Sequence, residues 1–463
     1  MLLVLENPKY FMEKNKQIIS KFKIVPFYDV ALWDVKRFVL SNITSEFPVV
    51  KLGKFINEEN TKIKLFDFPD ETFGILGVSN KTGIFDAYEE KGSNINQPYK
   101  KMEIGFLAYN PYRINVGSIG IKEESNKFQY ISPAYVVFSC KTELNPDFLF
   151  KLFKTDTFNK IINENTTGSV RQNLTFDVLQ SLQIPLPHIE IQNNLLSNYY
   201  QKITLAEQQE IEAEKLEKEI DKYILSYLGI VLEKKEKKKG LNFSEFELID
   251  RWATDYIFNT NALSGIFKGK YPTQRMNEIL LEVQYGLSEK ASVEPIGIPM
   301  LRMNNIHNAT LTIDNLKYLQ LPEKQKDKSL LNFGDLLFNR TNSKELVGKT
   351  AVFDLEGEYV FASYLIRLKV NTEKINNYYI NFLLNSSIGR TQIDMVSRQV
   401  LGQANVNTQE IGDFIFPIPP LDIQNEIVTH IQKQKAQIKH LREAALSNRN
   451  TAIQTFENAI FNS

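Results

Sequence analysis

The chain has 463 residues, 43% of them hydrophobic and 24% charged, which is too long for one hydrophobic core and too apolar for a disordered or fibrous protein. Its 55 basic and 55 acidic residues cancel, so charge alone does not point to nucleic acid, although phosphate binding needs only local Lys and Arg. The single Cys140 excludes an internal disulfide, and the scattered His188, His307, His430 and His440 lack the spacing of metal ligands.

The amino terminus, Met1 to Asn7, starts apolar but soon reaches a charge, and it has neither a basic leader region nor a small-residue cleavage site. No apolar stretch approaches the roughly 18 residues that would span a bilayer. These features predict a soluble, cytoplasmic protein.

The chain repeats itself at about half its length, which predicts two duplicated domains rather than a short-period array. Each half begins with an aromatic residue and a proline, Phe47-Pro48 or Tyr271-Pro272, shortly after Trp33 or Trp252. A second pair of matching segments comprises Gly105 to Asn110 and Gly334 to Asn339, followed by Arg113 or Arg340 and by Val116-Gly117 or Val347-Gly348.

A third pair aligns Ser132 to Val136 with Phe361 to Leu365. The same apolar spacing follows in both halves, from Leu144 to Phe153 and from Ile375 to Leu384. We expect a strand that gives way to a helix at this point of each half.

A fourth pair closes each globular part with a Pro-x-Pro motif. Proline is tolerated only in the first helical turn, so these motifs predict the start of a long helix in each half, from Glu190 to about Leu232 and from about Leu421 to Ile460. The paired segments are Asn173-Leu174, Ile184 to Pro187 and Ile191-Gln192-Asn193, and Asn405-Val406, Phe416 to Pro419 and Ile423-Gln424-Asn425.

Both predicted helices carry apolar side chains at alternating three- and four-residue spacing, which is typical of a coiled-coil seam. A lone helix of about 40 residues would be roughly 60 Å long and would leave its seam in water, whereas an antiparallel pair buries it. We therefore expect the helices to pair and to hold the globular parts apart, with the charge run Glu233 to Gly240 as a solvated linker. The residues predicted for this helix and subunit interface are Leu216, Ile220, Tyr223, Tyr227, Ile427, Ile431, Ile438 and Leu441.

Motifs of enzyme chemistry are missing from the sequence. Asn110-Pro111-Tyr112 is similar to part of the base-holding motif of amino-methyltransferases, but the second proline is absent and the other half has Asn339-Arg340-Thr341. No glycine-rich loop offers a site for S-adenosylmethionine, and no phosphate loop, nucleophile elbow or nuclease carboxylate pair is found. The sequence indicates a binding protein.

The paired motifs resemble the Type I restriction specificity subunit family over nearly the whole chain. Gly334 to Arg340 and Val347 to Val352 are similar to the family's G-D-[IL]-L and V-G-K-x-A-V elements, and Phe416 to Val428 is similar to its I-P-[LI]-P-P-L-x-E-Q-x-x-I-V signature. The first half departs from this pattern, with Phe106 in place of the aspartate and His188-Ile189 in place of the second Pro-Leu.

The resemblance implies an α/β (α+β) fold, with two similar target-recognition domains separated by two long antiparallel helices and related by a pseudo-twofold. The expected boundaries are 1–187 for the first recognition domain, 188–240 for the first helix and linker, 241–419 for the second recognition domain and 420–463 for the second helix.

The resemblance also implies a non-catalytic subunit that binds a two-part site on double-stranded DNA, one part per domain, about one helical turn apart. Its partners would be two methyltransferase subunits, docked on the helices, and restriction or translocase subunits. S-adenosylmethionine, ATP and Mg would belong to those partners, and this chain is expected to hold no cofactor and no metal.

Candidates for DNA contacts are side chains with planar donor and acceptor pairs on loops. Unpaired polar residues near Arg302 to Asn305 and Lys344 to Glu345 rank above Asn110 and Asn339, because a residue shared by both halves cannot tell two half-sites apart. The full set comprises Ser79, Asn80, Lys81, Asn110, Arg113, Arg171, Gln172, Arg302, Asn304, Asn305, Arg340, Asn342, Lys344, Arg398, Gln399 and Gln403.

Two other functions compete with this interpretation. The same two-domain fold would serve as the recognition subunit of a Type II-like methylase-nuclease complex, which the partner gene would decide. A coiled-coil scaffold that binds protein would instead show no salt-dependent affinity for DNA.

Overall fold

The computed structural model describes residues 2–5, 23–26, 43–114, 117–165, 173–232, 264–400 and 402–461, with the backbone alone for 2–5, 23–26, 165 and 398–400. The sequence features at Trp33, Val116, Trp252 and 233–240 lie outside these residues. The chain divides into two compact units: unit 1 comprises Met1–Gln209 and Glu443–Ser463, and unit 2 comprises Glu210–Arg442.

Two helices of 40 residues dominate the secondary structure, and each contributes one part to unit 1 and one part to unit 2. In chain order the helices are α1 (Pro146–Leu152), α2 (Asp156–Asn165), α3 (Phe176–Ser181), α4 (Ile189–Leu228), α5 (Met276–Ile279), α6 (Glu323–Ser329), α7 (Asn377–Asn385), α8 (Ser387–Val396), α9 (Thr408–Gly412) and α10 (Leu421–Ile460).

The long helices α4 and α10 pair antiparallel within each unit. In unit 1, Lys202 Nζ donates to Thr455 Oγ1 at 3.0 Å and Asn448 Nδ2 donates to Gln209 Oε1 at 2.9 Å. In unit 2, Arg442 binds Glu217 at 2.6 Å, and the rings of Tyr223 and His430 stack with their centres 3.9 Å apart. In both units the residue number on α10 falls as that on α4 rises, so the predicted antiparallel pairing is confirmed.

Unit 1 contains a four-stranded antiparallel sheet, a five-stranded mixed sheet and two strand pairs. The strands are β1 (Leu2–Leu5), β2 (Lys23–Pro26), β3 (Val49–Lys51), β4 (Ile56–Glu58), β5 (Lys62–Ile63), β6 (Thr72–Ser79), β7 (Gly83–Lys91), β8 (Tyr99–Lys101), β9 (Leu107–Tyr109), β10 (Ile119–Ile121), β11 (Tyr130–Ile131), β12 (Val136–Cys140) and β13 (Gln183–Pro185).

Unit 2 contains a four-stranded antiparallel sheet, two three-stranded sheets and two strand pairs. The strands are β14 (Thr273–Arg275), β15 (Leu280–Tyr285), β16 (Ile298–Leu301), β17 (Ile306–His307), β18 (Thr310–Leu311), β19 (Lys317–Leu319), β20 (Leu336–Asn339), β21 (Thr341–Asn342), β22 (Thr350–Val352), β23 (Val360–Phe361), β24 (Leu365–Val370), β25 (Arg398–Val400), β26 (Gln403–Asn405) and β27 (Ile415–Pro417).

The four-stranded sheets of the two units have the same strand order. The order β10-β9-β12-β4 in unit 1 corresponds to β22-β20-β24-β15 in unit 2, and the pair β13-β3 corresponds to β27-β14. The glycine before the second strand of each sheet has a positive φ, +84° at Gly105 and +92° at Gly334, which explains why both halves keep glycine there. The predicted duplication of an α/β domain is thus confirmed, while the predicted domain boundaries stay predictions.

The third repeat segment is shifted by one residue in the sheet. The sequence alignment sets Val136 against Leu365, but Val136 lies opposite Tyr109, and Ile366 lies opposite Phe338, the counterpart of Tyr109. Side chains alternate between the two faces of a strand, so a one-residue shift moves each residue to the other face. The sequence alignment of these two strands is therefore wrong by one residue, because the segment between the strands is one residue longer in unit 2.

One face of each four-stranded sheet packs against the helices. In unit 1, Tyr109 and Phe138 join a buried cluster with Phe148 of α1 and Phe456 of α10. In unit 2, Phe338 and Leu368 join a corresponding cluster with Tyr379 of α7 and Ile427 of α10. Each core therefore includes residues of the long helices, and the helices are part of both folded units.

A buried glutamine fixes the start of each long helix to its unit. Gln192 is fully buried, accepts from the backbone N–H of Asn145 at 2.9 Å and donates to the carbonyls of Glu143 and Pro187 at 2.9 and 2.8 Å. Asn145 in turn caps α1 with its side chain. This network explains the Ile-Gln-Asn motif that follows Pro-x-Pro in the first half.

The second half repeats the same network. Gln424 is fully buried, accepts from Asn376 N–H at 2.9 Å and donates to the carbonyls of Lys374 and Pro419 at 2.9 and 2.8 Å. Asn376 caps α7 as Asn145 caps α1. Sequence reasoning identified the motif as part of the repeat but did not assign this role to it.

Helix α4 ends at Leu228, four residues before the predicted end. Gly229 has a φ of +66°, and Ile230 N–H donates to the carbonyl of Leu225 at 2.8 Å, which is the pattern of a helix that stops at a left-handed glycine. The prediction of about Leu232 was wrong because the apolar spacing continues past this glycine.

On α4 the predicted seam lies beside the most buried stripe in unit 2, whereas on α10 it coincides with buried residues. Ile224 and Leu228 are almost fully buried, because this face of α4 meets both α10 and the core of unit 2. Among the predicted interface residues, Ile427, Ile431 and Ile438 are buried, and Leu216, Ile220, Tyr223, Tyr227 and Leu441 are half-buried.

Candidate nucleic-acid interface

The hairpin β6–β7 of unit 1 presents polar side chains at its tip. Ser79 closes the turn, since its Oγ lies 2.7 Å from Thr82 Oγ1 and accepts from Thr82 N–H at 2.9 Å. Asn80 and Lys81 between them are exposed. Of the three residues predicted here, Ser79 therefore shapes the turn while Asn80 and Lys81 are available to a ligand.

The loop after β9 carries the second predicted group of unit 1. Asn110 Oδ1 accepts from the backbone N–H of Tyr112 at 3.0 Å, and its carbonyl accepts from Arg113 N–H at 3.0 Å. Asn110 therefore holds the turn, as expected for a residue shared by both halves. The side chains of Tyr112 and Arg113 are exposed.

These two loops of unit 1 lie side by side. Ser118 Oγ donates to the carbonyl of Val78 at 3.3 Å, and Lys154 Nζ donates to the carbonyls of Gly117 at 2.9 Å and of Asn80 at 3.4 Å. Burial lowers the pKa of Lys154, and neighbouring Lys151 lowers it further. Lys154, which sequence reasoning missed, therefore links the tip of the hairpin to the loop by hydrogen bonds. We call such a linking side chain a clamp.

A further segment of the chain, at Leu174, joins the same loop. Leu174 N–H donates to the carbonyl of Pro111 at 3.0 Å, and the hydroxyl of Tyr109 donates to the carbonyl of Leu174 at 3.2 Å. The predicted contacts Arg171 and Gln172 come directly before this segment in the chain and lie outside the described residues.

The residues predicted near Arg302 in unit 2 differ in their access to solvent. Asn305 is fully buried; its Oδ1 accepts from Arg302 N–H, and its Nδ2 donates to the carbonyls of Thr312 and Asp314, each at 3.0 Å. Arg302 Nη2 donates to the carbonyl of Asn315 at 2.7 Å, whereas Asn304 is exposed. The amide of Asn305 is committed to the protein, so this placement does not fit the predicted base contact.

A sheet of three short strands brings together predicted residues from distant parts of unit 2. Its order is β21-β26-β25, so the backbones of Asn342, Arg398, Gln399 and Gln403 share one small sheet. Gln403 is exposed, and Asn342 Oδ1 accepts from the N–H of Ser343 at 2.9 Å. The side chains of Arg398 and Gln399 lie outside the described residues. We call this the β21-β26-β25 sheet.

Two further predicted residues of unit 2 flank this sheet. Arg340 comes directly before β21, with its guanidinium carbon 4.9 Å from the centre of the Tyr285 ring. Lys344 is half-buried, and its carbonyl accepts from Arg390 Nη2 at 3.0 Å. Tyr285, another residue that sequence reasoning missed, carries no motif that would have marked it.

Unit 2 has a clamp at the position of Lys154, built from different side chains. Asn385 Nδ2 donates to the carbonyl of Thr350 at 3.0 Å, and Asn381 Nδ2 donates to the carbonyl of Ala309 at the tip of the β17–β18 hairpin, also at 3.0 Å. In both units, side chains on or just after the helix that follows the sheet bind the tip of a hairpin, and in unit 2 the second contact is with the first residue of β22. The shared Asn339 is buried and donates to the carbonyl of Leu346 at 3.3 Å.

Within the described parts of the chain, no cluster of three or more His, Cys, Asp or Glu residues could hold a metal ion. None of the helices in those parts is long and apolar enough to cross a membrane.

Two segments of the chain, residues 48–215 and 278–447, match the family described as type I restriction modification DNA specificity domain, and together they make up well over half of the chain. A protein of Methanocaldococcus jannaschii named as type I restriction enzyme MjaX specificity subunit is 29% identical over 160 residues, which are 34% of this chain and 37% of that protein. The type I restriction enzyme StySPI specificity subunit of Salmonella potsdam is 25% identical over 185 residues, 39% of this chain and 38% of that protein.

The matched segment therefore covers little more than a third of the length of these relatives. One solved structure, from work on complex assembly and conformational transition of the type I R-M system, shares the fold at a TM-score of 0.56 with 14% sequence identity. That likeness covers 91% of this chain and 99% of the other.

Proposed function

The chain belongs to the family of type I restriction modification DNA specificity domains, and on that premise we propose that it is the DNA-reading specificity subunit of a Type I restriction-modification complex. Each unit would read one half of a two-part site on double-stranded DNA. Methylation and cleavage would be carried out by partner subunits, and this chain would catalyse neither.

One observation carries the proposal: the two units share a scaffold but differ in the polar side chains beside it. Unit 1 presents Asn80, Lys81 and Arg113 on two adjoining loops, while unit 2 presents Arg340 and Gln403 at the β21-β26-β25 sheet. A pair of readers with one fold and different surface chemistry is what an asymmetric two-part site requires.

The chemistry of these side chains fits direct reading of base edges. Arg and Lys donate to guanine O6 and N7, and Asn and Gln pair with adenine N6 and N7 in the major groove. Asn110 and Asn339 hold turns of the protein by hydrogen bonds to the backbone, so we assign them the role of positioning the backbone beside the DNA-reading side chains. Asn305 is left out of the proposed contact surface.

We propose that the long helices dock two methyltransferase subunits. Exposed apolar side chains support this: in unit 1, Leu446 of α10 is 58% exposed, and in unit 2, Ile211 of α4 is 66% exposed. S-adenosylmethionine, ATP and Mg would be bound by the methyltransferase and restriction subunits. We also propose that the length of the helices sets the gap between the two half-sites.

The test is to co-express the chain with the methyltransferase encoded beside it and to map methylated adenines by single-molecule sequencing. We expect a split motif with a fixed gap that disappears when this chain is omitted. A continuous motif, or methylation that does not depend on this chain, would overturn the proposal.

The alternatives are separated by two further measurements. The subunits that copurify distinguish a Type I complex from a Type II-like methylase-nuclease complex. A protein-binding scaffold would show no salt-dependent affinity for DNA, whereas a DNA reader loses affinity steeply as salt rises.

A further inference from the structure

The backbone of Arg340 is held between two sheets of unit 2. Arg340 N–H donates to the carbonyl of Tyr364, and its own carbonyl accepts from Val406 N–H, both at 3.0 Å. The first bond ties Arg340 to the residue before β24 and the second to the residue after β26. Its Cα is therefore fixed on both sides, which a residue in a free loop would not be.

The side chain of Arg340 is held as well. Its guanidinium carbon lies 4.9 Å from the ring centre of Tyr285, a residue 45% exposed at the end of β15. Arg340 Nε is buried and has no hydrogen-bond partner among the described residues. Stacking on a ring covers one face of a guanidinium and leaves the N–H groups in its plane free to donate.

The corresponding residue of unit 1 cannot do the same chemistry. Leu174 N–H donates to the carbonyl of Pro111 in unit 1 just as Val406 N–H donates to that of Arg340, so Pro111 occupies the same backbone position. Proline has no donor in its side chain. The position therefore differs between two units whose backbones agree, as expected of a residue that reads one half-site.

The neighbourhood of Arg340 is also that of the other candidates in unit 2. Arg340 leads directly into β21, which pairs with β26 and thereby with the exposed Gln403 next to that pairing. A base edge in reach of the guanidinium would lie beside this small sheet.

We infer that Arg340 reads a guanine in the half-site recognised by unit 2 and that Tyr285 is its positioning residue, an inference that rests on the proposed function. Two donors of a pre-oriented guanidinium match guanine O6 and N7, the commonest specific contact in the major groove. Tyr285 contributes by holding the guanidinium plane and touches no base.

The test compares variants in the complex with the methyltransferase, using binding to duplexes in which each base pair of the mapped motif is replaced in turn. We expect R340A to lower discrimination at one G·C pair by roughly tenfold or more, with the other half-site read as before. Y285L is expected to weaken discrimination severalfold at the same pair. Y285F keeps the ring and is expected to read it normally.

The unchanged half-site serves as the control for folding of each variant. Equal loss of affinity for every duplex, or a weaker salt dependence with intact discrimination, would make Arg340 a phosphate contact and overturn the inference. Normal discrimination in R340A would overturn it too. A wild-type complex without a split motif would instead overturn the proposed function, so the two failures are distinct.

Discussion

The two units build the same four-stranded sheet, but two neighbouring positions in it are apolar in unit 1 and charged in unit 2. In unit 1, Val137 on β12 is buried in an apolar cluster against which Phe106 packs. In unit 2 the residues at these places are Arg367 on β24 and Asp335 before β20, and both are buried. The same place in the sheet therefore holds apolar side chains in unit 1 and an ion pair in unit 2.

The ion pair of unit 2 is well supported by its surroundings. Arg367 donates to Glu282 at 2.7 Å and to the carbonyl of Leu330 at 2.8 Å, and it lies 3.7 Å from Asp335. Burial raises the pKa of Asp335, although the hydrogen bond from the backbone N–H of Asn332 and the charge of Arg367 lower it. Burial has the larger effect on this pKa. Keeping Asp335 charged in the core therefore costs free energy, and the charge of Arg367 reduces that cost.

This difference explains a departure seen in the sequence. The first half has Gly105-Phe106 where the second has Gly334-Asp335, and a residue on the neighbouring strand changes with it, from Val137 to Arg367. The aspartate of the family motif is therefore one half of a structural pair. The two units share strand order and register, but both residues at this place differ between them.

The largest effect is expected from breaking the pair on one side only. Replacing Arg367 by the valine of unit 1 leaves Asp335 buried without its cation, which should lower the free energy of unfolding of unit 2 by about 3–5 kcal/mol. Unfolding by denaturant, followed by hydrogen exchange in β20 and β24, measures this loss.

The matched control converts both residues. The double variant R367V/D335F copies unit 1, and we expect it to recover most of the loss, because an apolar pair of similar volume can replace a buried ion pair. If the double variant is no more stable than R367V, the two units are not interchangeable at this position.

A smaller loss of stability, equal in the two units, is expected from breaking the buried glutamine network that both units share. Q192A and Q424A each remove a buried amide that makes three hydrogen bonds, so each should cost about 2–3 kcal/mol in its own unit. Hydrogen exchange in α1 and α7 reports the two losses separately. The exposed Gln208 and Gln432 of the same helices supply controls, since Q208A and Q432A should change stability by less than about 0.5 kcal/mol. A large difference between Q192A and Q424A would contradict the equivalence of the two networks.

The smallest effect concerns the clamps. K154M removes the bonds to Gly117 and Asn80 but keeps the aliphatic stem, so amides at the tip of the β6–β7 hairpin should exchange about five- to tenfold faster. N381A should do the same at the tip of the β17–β18 hairpin. K160M, at an exposed lysine of α2, is the control. Unchanged exchange at the tips would show that the clamps do not hold them.

The sequence predicted those parts of the fold that depend on local patterns. Apolar spacing and the Pro-x-Pro motifs placed both long helices to within a few residues, and repeated glycines marked the turns before the shared strands. The sequence did not reveal the one-residue shift between Val136 and Leu365, because strand register is set by pairing partners that are distant in sequence.

The candidate site was less predictable for a related reason. Residue type and loop position selected Arg340 and Gln403, but they also selected Asn305, whose burial depends on carbonyls seven and nine residues away. Lys154 and Tyr285 act through contacts with segments far along the chain, and no motif surrounds them.

The division of the chain into units also has a consequence for biosynthesis. Phe456 and Ile460 of α10 lie in the core of unit 1, and Glu457 accepts from the backbone N–H of Thr157 at 2.8 Å. The ribosome adds these residues only after every residue of unit 2 has been made. Synthesis of unit 1 therefore begins first, but its core can be completed only last. Until the end of α10 emerges from the ribosome, the nascent chain exposes an apolar cleft where Phe456 and Ile460 will pack, and chaperones could bind there.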